Sequence, residues 1–212
     1  MAELNAELFP NCFVGNWTLL SIALIALILL ATASGASGAA TENPAPQLPK
    51  EKQTTLRLYV TAKEAYEKWK AEPDKVKILD VRTSEEYIFV GHTAMAMNIP
   101  VAVQTYEWDE DKKQFPIKPN PDFVSAVKEW AKSADTIMVM CRSGGRSALA
   151  VNTLAEAGFK NVYNITDGME GDTVSDPDSV YNGQRLRNGW KNSGCPWTYK
   201  VSPDRMVLPK AS

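Results

Sequence analysis

The sequence predicts an α/β fold in which helices flank both faces of a mainly parallel central sheet. From residue 56 onward, short apolar runs alternate with segments of helical periodicity, the pattern of parallel strands joined by helical crossovers. The run Thr136–Met140 is dominated by apolar residues, as expected of a strand buried on both faces. The chain has 212 residues, of which 44% are hydrophobic, so it suits one domain with appendages.

The first forty residues differ in composition from the rest. No charged residue occurs between Trp17 and Ala33, and this run leads into a stretch of Ala, Ser and Gly that ends at Ala40. These features predict either a signal peptide at residues 1–40, with export to the periplasm, or a membrane anchor at residues 17–33. The polar, Pro-rich residues 41–54 are predicted to be a linker.

The charges around this apolar run leave both alternatives open. The residues before it include Glu3 and Glu7 but no Lys or Arg, whereas a signal peptide normally begins with positive charge. If the segment stays attached, the nearest basic cluster follows the run, at Lys50, Lys52, Arg57 and Lys63. The positive-inside tendency would then favour a cytoplasmic domain.

The predicted domain, residues 55–200, begins with a strand followed by two capped helices around a second strand. LRLYV, residues 56–60, indicates a first strand or edge segment. Thr61 and Thr83 each stand three residues before a Glu, which predicts a capping box at the start of each helix. Between these helices, Val76–Val81 has the β-branched composition of a central strand.

The second half of the domain continues the alternation. A short strand ends at Pro100, and Asn120–Pro121 predicts the start of a helix. After the apolar strand comes a helix that Gly158 ends in the left-handed conformation. KNVYNI, residues 160–165, is the last predicted strand, and residues 201–212 form a C-terminal tail.

The candidate catalytic group lies in the loop that follows Thr136–Met140. This loop consists of Cys141, Arg142, Ser143, Gly144, Gly145 and Arg146. Ligands bind at the carboxyl ends of strands in open α/β sheets, and Cys141 stands at such an end. The glycines allow backbone N–H groups to form an anion nest, and the next helix adds its positive end. With two arginines alongside, the loop favours a thiolate, the reactive form of cysteine.

CRSGGRS after an apolar strand resembles the six-residue active-site loop of rhodanese domains. Three further stretches are similar to that family and occur in the same order: LDVRTSEEYIFVGHTAMAMNIP, GFKNVYNITDGMEG and NGWKNSGCPW. The four motifs cover about residues 55–198. The resemblance implies a rhodanese-like three-layer fold with a mainly parallel sheet between two layers of helices.

The same resemblance implies a sulfurtransferase that works by ping-pong transfer. Cys141 would take the outer sulfur from a donor such as thiosulfate, carry it as a persulfide and pass it to cyanide or a thiol. The expected partners are therefore a small anionic sulfur donor, a thiol or cyanide acceptor, and a partner protein of sulfur metabolism. The net charge of -2 gives no reason to expect nucleic acid, and no metal or organic cofactor is expected.

Residues outside Cys141 receive roles through the resemblance as well. The loop residues from Arg142 to Arg146 are expected to bind the donor. Asp80 and Arg82 are expected to form an ion pair that holds the neighbouring loops. His92, the only histidine of the sequence, lies in the family's Gly-His turn and is expected to be structural.

The chain departs from the family pattern at several places. Thr93–Met95 follows the Gly-His turn, where the family usually has an apolar residue, Pro and Gly. Inserts occur near residues 104–120 and 171–188. The second insert either shapes donor or acceptor access or is a plain surface loop. Cys195 either resolves the Cys141 persulfide, pairs with another chain, or packs as a small apolar side chain.

Two other functions fit parts of the pattern. Cysteine phosphatases also use a strand, loop and helix to hold an anion, but they need five residues between Cys and Arg. Here only four residues separate Cys141 from Arg146, so the loop suits a single sulfur atom better than a phosphate group. The alternative that the sequence leaves open is a sulfur-carrier module without turnover that serves a partner enzyme.

Overall fold

The computed structural model describes residues 48–208. The segment predicted as a signal peptide or membrane anchor lies outside this range, together with residues 41–47 and 209–212. The described residues form the α/β fold that the sequence predicts. Among the helices of this range, none is long and apolar enough to cross a membrane.

The centre of the fold is a parallel five-stranded sheet. Its strands are β1 (Tyr59–Val60), β2 (Val76–Asp80), β3 (Ala96–Asn98), β6 (Thr136–Met140) and β7 (Val162–Ile165). Their spatial order is β1-β7-β6-β2-β3, with every pair parallel. Because β6 is the middle strand, the residue that follows it, Cys141, lies at the centre of the sheet's carboxyl edge.

Helices cover both faces of the sheet, which confirms the three-layer prediction. The helices are α1 (Ala62–Ala71), α2 (Ser84–Phe89), α3 (Phe123–Trp130), α4 (Gly145–Glu156) and α5 (Gly189–Asn192). Ile137 and Val139 of β6 pack in one core cluster with residues of α3 and α4. Met138 and Met140 pack in a second cluster with residues of α1 and α5. The alternation of side chains along β6 therefore supplies both layers.

Local sequence signals set several helix ends. At α1 the Thr61 side chain accepts from the Glu64 backbone N–H while the Glu64 carboxylate accepts from that of Thr61. Thr83 and Glu86 form the same reciprocal capping box at α2. After α4, Gly158 has a φ of +99°, the left-handed conformation predicted for it. In each case the signal is local, so the sequence alone reveals it.

A hairpin spans the insert near residues 104–120. β4 (Ala102–Gln104) pairs antiparallel with β5 (Ile117–Pro119). Between them, the rings of Trp108 and Phe115 meet edge to face with centroids 5.1 Å apart. Both strands are only three residues long, and β5 is exposed and ends in proline. Such strands carry no alternation of apolar and polar residues from which they could be predicted.

The insert at residues 171–188 also closes as a hairpin. β8 (Asp172–Thr173) pairs antiparallel with β9 (Arg185–Arg187). Its base sits against the main chain at Gly171, where a Cβ would lie 2.1 Å from the Arg187 carbonyl oxygen. The Asn188 amide group donates to Asp172 Oδ2 at 3.0 Å. Main-chain approach and polar contacts form this hairpin, so apolar patterning gives no sign of it.

Residues 48–54, assigned to the linker from the sequence, lie against the domain. Lys50–Lys52 forms a 3₁₀ turn, and Thr54 is buried. The backbone N–H of Thr55 donates to Asn152 Oδ1 on α4 at 2.8 Å. The folded unit thus begins before the predicted boundary at residue 55. Contacts to distant residues hold this segment in place, and its polar sequence gives no periodic signal for them.

The segment after residue 200, assigned to the C-terminal tail, also joins the fold. Pro203–Arg205 forms a 3₁₀ turn, and Met206 forms a parallel bridge with Asn98 of β3. The Val207 backbone N–H then donates to the Asn98 carbonyl oxygen at 2.8 Å. These contacts cover the edge of the sheet at β3, where unpaired backbone groups would otherwise be exposed.

A buried ion pair joins the end of β2 to the turn after α2. Arg82 Nη2 lies 2.6 Å from Asp80 Oδ2 and also donates to the Gly91 carbonyl oxygen at 2.9 Å. Both charged side chains are fully buried. Burial opposes the charge of Arg82, but Asp80 outweighs it, so the pKa of Arg82 lies above its ordinary value. The contacts match the loop-holding role that the resemblance implied for this pair.

Replacing Arg82 with methionine is expected to lower the free energy of unfolding by about 3–5 kcal/mol, because Asp80 would keep a buried charge without its partner. Urea denaturation followed by circular dichroism measures the change. The matched control is the double variant Asp80→Asn with Arg82→Met, which removes both charges and should lose less stability than Arg82→Met alone. A double variant at least as unstable as the single one would contradict this explanation.

Candidate active site

Cys141 follows β6 directly and is almost fully buried, with an exposed fraction of 2%. Its side chain belongs to the core cluster shared with α3 and α4, and its sulfur accepts the backbone N–H of Gly144 at 3.2 Å. The sulfur therefore faces a main-chain donor inside the loop. Such a donor stabilises negative charge on sulfur without any conformational change.

The loop around Cys141 requires glycine at Gly144. This residue has a φ of +101°, a conformation that side chains rarely adopt. A Cβ at this position would lie 2.2 Å from the carbonyl oxygen of Thr166, far inside van der Waals contact. Gly144 is also the N-cap of the twelve-residue helix α4. The tight turn thus brings the positive end of α4 next to the sulfur.

The turn after β7 supports the loop through main-chain hydrogen bonds. Met169 N–H donates to the Cys141 carbonyl oxygen at 2.8 Å, and Glu170 N–H donates to that of Arg142 at 2.9 Å. Gly168 has a φ of +61°, and a Cβ there would lie 2.5 Å from the Cys141 carbonyl oxygen. The backbones of the loop and the turn are therefore in direct contact.

Asp167 holds this turn through two hydrogen bonds to backbone N–H groups. One carboxylate oxygen accepts from the Ala62 N–H at the start of α1 at 2.7 Å, and the other accepts from the Gly189 N–H at the start of α5 at 2.8 Å. Burial raises the pKa of Asp167 above its ordinary value, although both backbone donors oppose the shift. A single carboxylate thus ties the turn under the loop to two helix N-termini.

The two arginines of the loop differ in environment. Arg142 is exposed and forms no ion pair with any residue from 48 to 208. Both terminal nitrogens of Arg146 donate to the carboxylate of Glu86 on α2, each at 2.6 Å. Burial opposes the charge of Glu86, but the hydrogen bonds from Arg146 outweigh it, so the pKa of Glu86 lies below its ordinary value. Within the described residues, Arg142 is the loop cation without a carboxylate partner.

Two further polar side chains approach the sulfur. Ser147 Oγ on α4 lies 3.5 Å from Cys141 Sγ and 2.7 Å from Asn164 Oδ1 on β7. The Asn164 amide nitrogen donates to the carbonyl oxygens of Lys52 at 2.9 Å and Gly144 at 3.1 Å. Ser147 and Asn164 are both fully buried. The Asn164 amide therefore joins Lys52 of the segment 48–54 to Gly144 of the active-site loop.

The remaining candidate residues lie apart from the sulfur. Cys195 is buried in the core cluster on the other face of the sheet, and burial raises the pKa of its thiol. It packs as a small apolar side chain and is not positioned to resolve a persulfide on Cys141. The ring nitrogens of His92 lie 3.0 and 3.1 Å from the carbonyl oxygens of Tyr87 and Lys200, which is a structural position.

Sequence reasoning missed three polar residues of the site. Glu86 was recognised only for its capping box, although it also binds Arg146. Ser147 lies inside the quoted loop motif but received no role. Asn164 could have been found as a polar residue within a predicted buried strand, because a buried amide requires hydrogen-bond partners. The described residues contain no cluster of His, Cys, Asp and Glu suited to a metal ion.

Comparison with known proteins identifies the family. The rhodanese-like domain model matches residues 61–173. Uncharacterized protein RC0915 of Rickettsia conorii is 31% identical over 126 residues, which cover 59% of this chain and 85% of that protein. Thiosulfate sulfurtransferase 16, chloroplastic, of Arabidopsis thaliana is 37% identical over 92 residues, which cover 43% of this chain and 69% of that protein.

One solved structure is similar to this chain in fold. The crystal structure of Rv0390 from M. tuberculosis has a TM-score of 0.52 and 26% sequence identity, and the match covers 66% of this chain and 96% of that one. The family match extends from just before α1 to β8, so it includes the Cys141 loop and the turn that supports it. On its sequence match and its parallel five-stranded fold, the chain belongs to the rhodanese-like domain family.

Proposed function

We propose that this protein is a sulfurtransferase that moves sulfane sulfur through a persulfide on Cys141. The Cys141 thiolate attacks the outer sulfur of a donor such as thiosulfate and forms a new S–S bond. The bond to the sulfonate breaks, and sulfite leaves with the electron pair. A thiol, as its thiolate, or cyanide then attacks the outer sulfur of the persulfide, and the Cys141 thiolate is regenerated.

The observation that carries this proposal is the position of the Cys141 sulfur. It accepts the Gly144 N–H at the N-terminus of α4, an arrangement that supplies a fixed donor for negative charge on the attacking sulfur. The loop is short and closely supported, so its anion site suits a sulfur atom better than a phosphate group. The family supports a sulfurtransferase activity, and two of the plant relatives are named thiosulfate sulfurtransferases 16 and 18.

For the donor, we propose that Arg142 makes the first electrostatic contact. It is exposed beside Cys141, whereas the charge of Arg146 is largely neutralised by Glu86. The sequence-based role of Arg146 in donor binding remains a prediction. Arg142 is therefore the better placed residue to attract a dianion such as thiosulfate, and Arg146 acts mainly by holding α2 against α4.

Location and partners are also part of the proposal. The composition of residues 1–40 favours export to the periplasm, with a membrane anchor through residues 17–33 as the alternative. N-terminal sequencing of the mature protein from a membrane fraction and a soluble fraction distinguishes the two. The partners would be a small anionic sulfur donor and a thiol or cyanide acceptor, with a protein of sulfur metabolism supplying either one.

The variant Cys141→Ser is expected to abolish sulfur transfer without unfolding the domain, because it replaces one small buried side chain with another of similar size. Intact mass of the full chain is measured before and after thiosulfate. Wild type should gain the mass of one sulfur atom, which cyanide then removes, and the variant should gain none. Cys195→Ser is the matched control, since it removes a buried thiol on the opposite face, and it should still load.

Loading of Cys141→Ser in a folded protein would contradict the assignment of Cys141. Turnover distinguishes an enzyme from a carrier module, because both would load sulfur. An enzyme releases thiocyanate from thiosulfate and cyanide over many cycles. A carrier would give stoichiometric loading with negligible turnover.

The variant Glu86→Gln is expected to lower the KM for thiosulfate roughly threefold to tenfold, because it removes the carboxylate charge that neutralises Arg146. Glutamine keeps the capping box of α2, so the helix should remain. Steady-state kinetics with thiosulfate measure the effect, and an organic persulfide, which carries one negative charge where thiosulfate carries two, serves as the second donor. For that donor the KM should fall less than for thiosulfate.

The control for this prediction is the double variant Glu86→Gln with Arg146→Ala. If the freed Arg146 charge causes the gain, the double variant should lose it. A KM that rises in Glu86→Gln would indicate instead that the carboxylate orients Arg146 to bind the donor.

A further inference from the structure

The amide of Asn164 has only one orientation that satisfies its surroundings. Its nitrogen faces two carbonyl oxygens, those of Lys52 and Gly144, and so donates both hydrogens. Its oxygen faces the Ser147 hydroxyl at 2.7 Å. The reverse orientation would place an oxygen against two oxygens in a fully buried site, which is strongly unfavourable. Asn164 Oδ1 therefore acts as an acceptor.

This orientation determines what Ser147 offers to the sulfur. A serine hydroxyl has one hydrogen and two lone pairs. With its hydrogen donated to Asn164 Oδ1, Ser147 can only accept on its other side, where Cys141 Sγ lies 3.5 Å away. Both contacts have an ordinary length for their atoms, but an amide oxygen is a much stronger acceptor than a thiol sulfur, so the hydrogen belongs to Asn164 Oδ1. Toward Cys141, Ser147 presents an oxygen lone pair.

We propose that Asn164 is a positioning residue that makes Ser147 the acceptor for the thiol hydrogen of resting Cys141. The sulfur then has two distinct neighbours, with Gly144 N–H as its donor and Ser147 Oγ as its acceptor. The network holds the resting thiol in one orientation. This role deepens the proposed function, on which its catalytic meaning rests.

Lys52, in the segment formed by residues 48–54, is part of this network. One of the two oxygens that orient Asn164 is the Lys52 carbonyl, and the Lys52 side chain is itself held by Asp172 of the hairpin insert at 3.0 Å. The hydrogen-bond polarity at Cys141 is therefore linked to residues far outside the active-site loop.

The charged groups around Cys141 come from every element packed against it. They are Arg142 on the loop, the Arg146–Glu86 pair between α4 and α2, the Asp80–Arg82 pair beyond β2, Asp167 and Glu170 of the turn after β7, and the Lys52–Asp172 pair. Neutral substitutions at Ser147 and Asn164 leave each of these charges in place. A change in thiol reactivity in such variants therefore reports hydrogen bonding and not a change in net charge.

The decisive variant is Ser147→Ala in the full chain. Alkylation of Cys141 by iodoacetamide is followed against pH, with the modified cysteine identified by peptide mass spectrometry. Loss of an acceptor destabilises the thiol, so below the midpoint of the profile alkylation should be roughly threefold to tenfold faster, the size of one net hydrogen bond. If Ser147 donates to the sulfur instead, its removal destabilises the thiolate and the midpoint rises. A midpoint that rises or stays unchanged overturns the proposal.

The variant Asn164→Ala tests whether Asn164 acts through Ser147. Without the amide oxygen, the Ser147 hydroxyl can turn and donate to the sulfur, so the midpoint should fall. In the Ser147→Ala background the same substitution should have no effect on the profile. A shift of equal size in both backgrounds, or no shift in either, overturns the positioning role. The measurement requires only that the variant is folded, and circular dichroism verifies this even for a variant of lowered stability.

Two controls make the result specific. Thr153→Ala removes another hydroxyl from α4, one that bonds the Leu149 carbonyl oxygen at 3.0 Å, and should leave the alkylation profile unchanged. Alkylation needs no sulfur donor, whereas mass gain with thiosulfate does. If sulfur loading fails while the profiles shift as stated, the proposed function fails and the network stands. If sulfur loading is normal while the alkylation midpoints rise or stay unchanged, the hydrogen-bond network is wrong and the proposed function stands.

Discussion

The site depends on close contact between two stretches of main chain, the Cys141 loop and the turn after β7. Carbonyl oxygens of the loop accept N–H groups of the turn, and the backbones meet where Gly144 and Gly168 leave no space for a Cβ. Main-chain contacts of this kind fix the loop without relying on side-chain rotamers. The donor at the Cys141 sulfur is consequently part of the backbone, and it is in place before any substrate arrives.

Ion pairs around the Cys141 loop determine which arginine is available to contact a substrate. Arg82 is buried with Asp80, and Arg146 forms an ion pair with Glu86. Arg142 is exposed on the loop. The two arginines of this short motif therefore have different environments, one paired with a carboxylate and one open to solvent. The strength of an electrostatic contact to a donor depends on this difference.

Segments outside the family motifs complete the domain at both ends. Lys52 contributes its carbonyl oxygen to the buried Asn164 amide, and Val207 covers the edge of the sheet at β3. The hairpin that begins at Asp172 reaches back to Lys52 through an ion pair. These contacts join residues more than a hundred positions apart, so residues 48–54, residues 201–208 and the second insert are all part of the folded domain.

The sequence by itself determined the order of the central strands and helices, the caps of α1 and α2, and the position of the candidate nucleophile Cys141 after β6. Thr61, Thr83 and Gly158 act through neighbours within a few residues, and β6 is recognised from its own apolar composition. Local physical causes leave local signals, so these features can be read along the chain. The same holds for the loop motif, whose cysteine, glycines and arginines all lie within residues 141–146.

Only the tertiary structure decided how the side chains of the site are paired. Arg146 meets Glu86 across sixty positions, and Asn164 meets Lys52 across more than a hundred. The tertiary structure also placed Cys195 on the opposite face of the sheet from Cys141. A polar side chain can form a hydrogen bond with almost any partner, and its own sequence neighbourhood does not specify which one. Burial then selects the partner, and burial is a property of the folded chain alone.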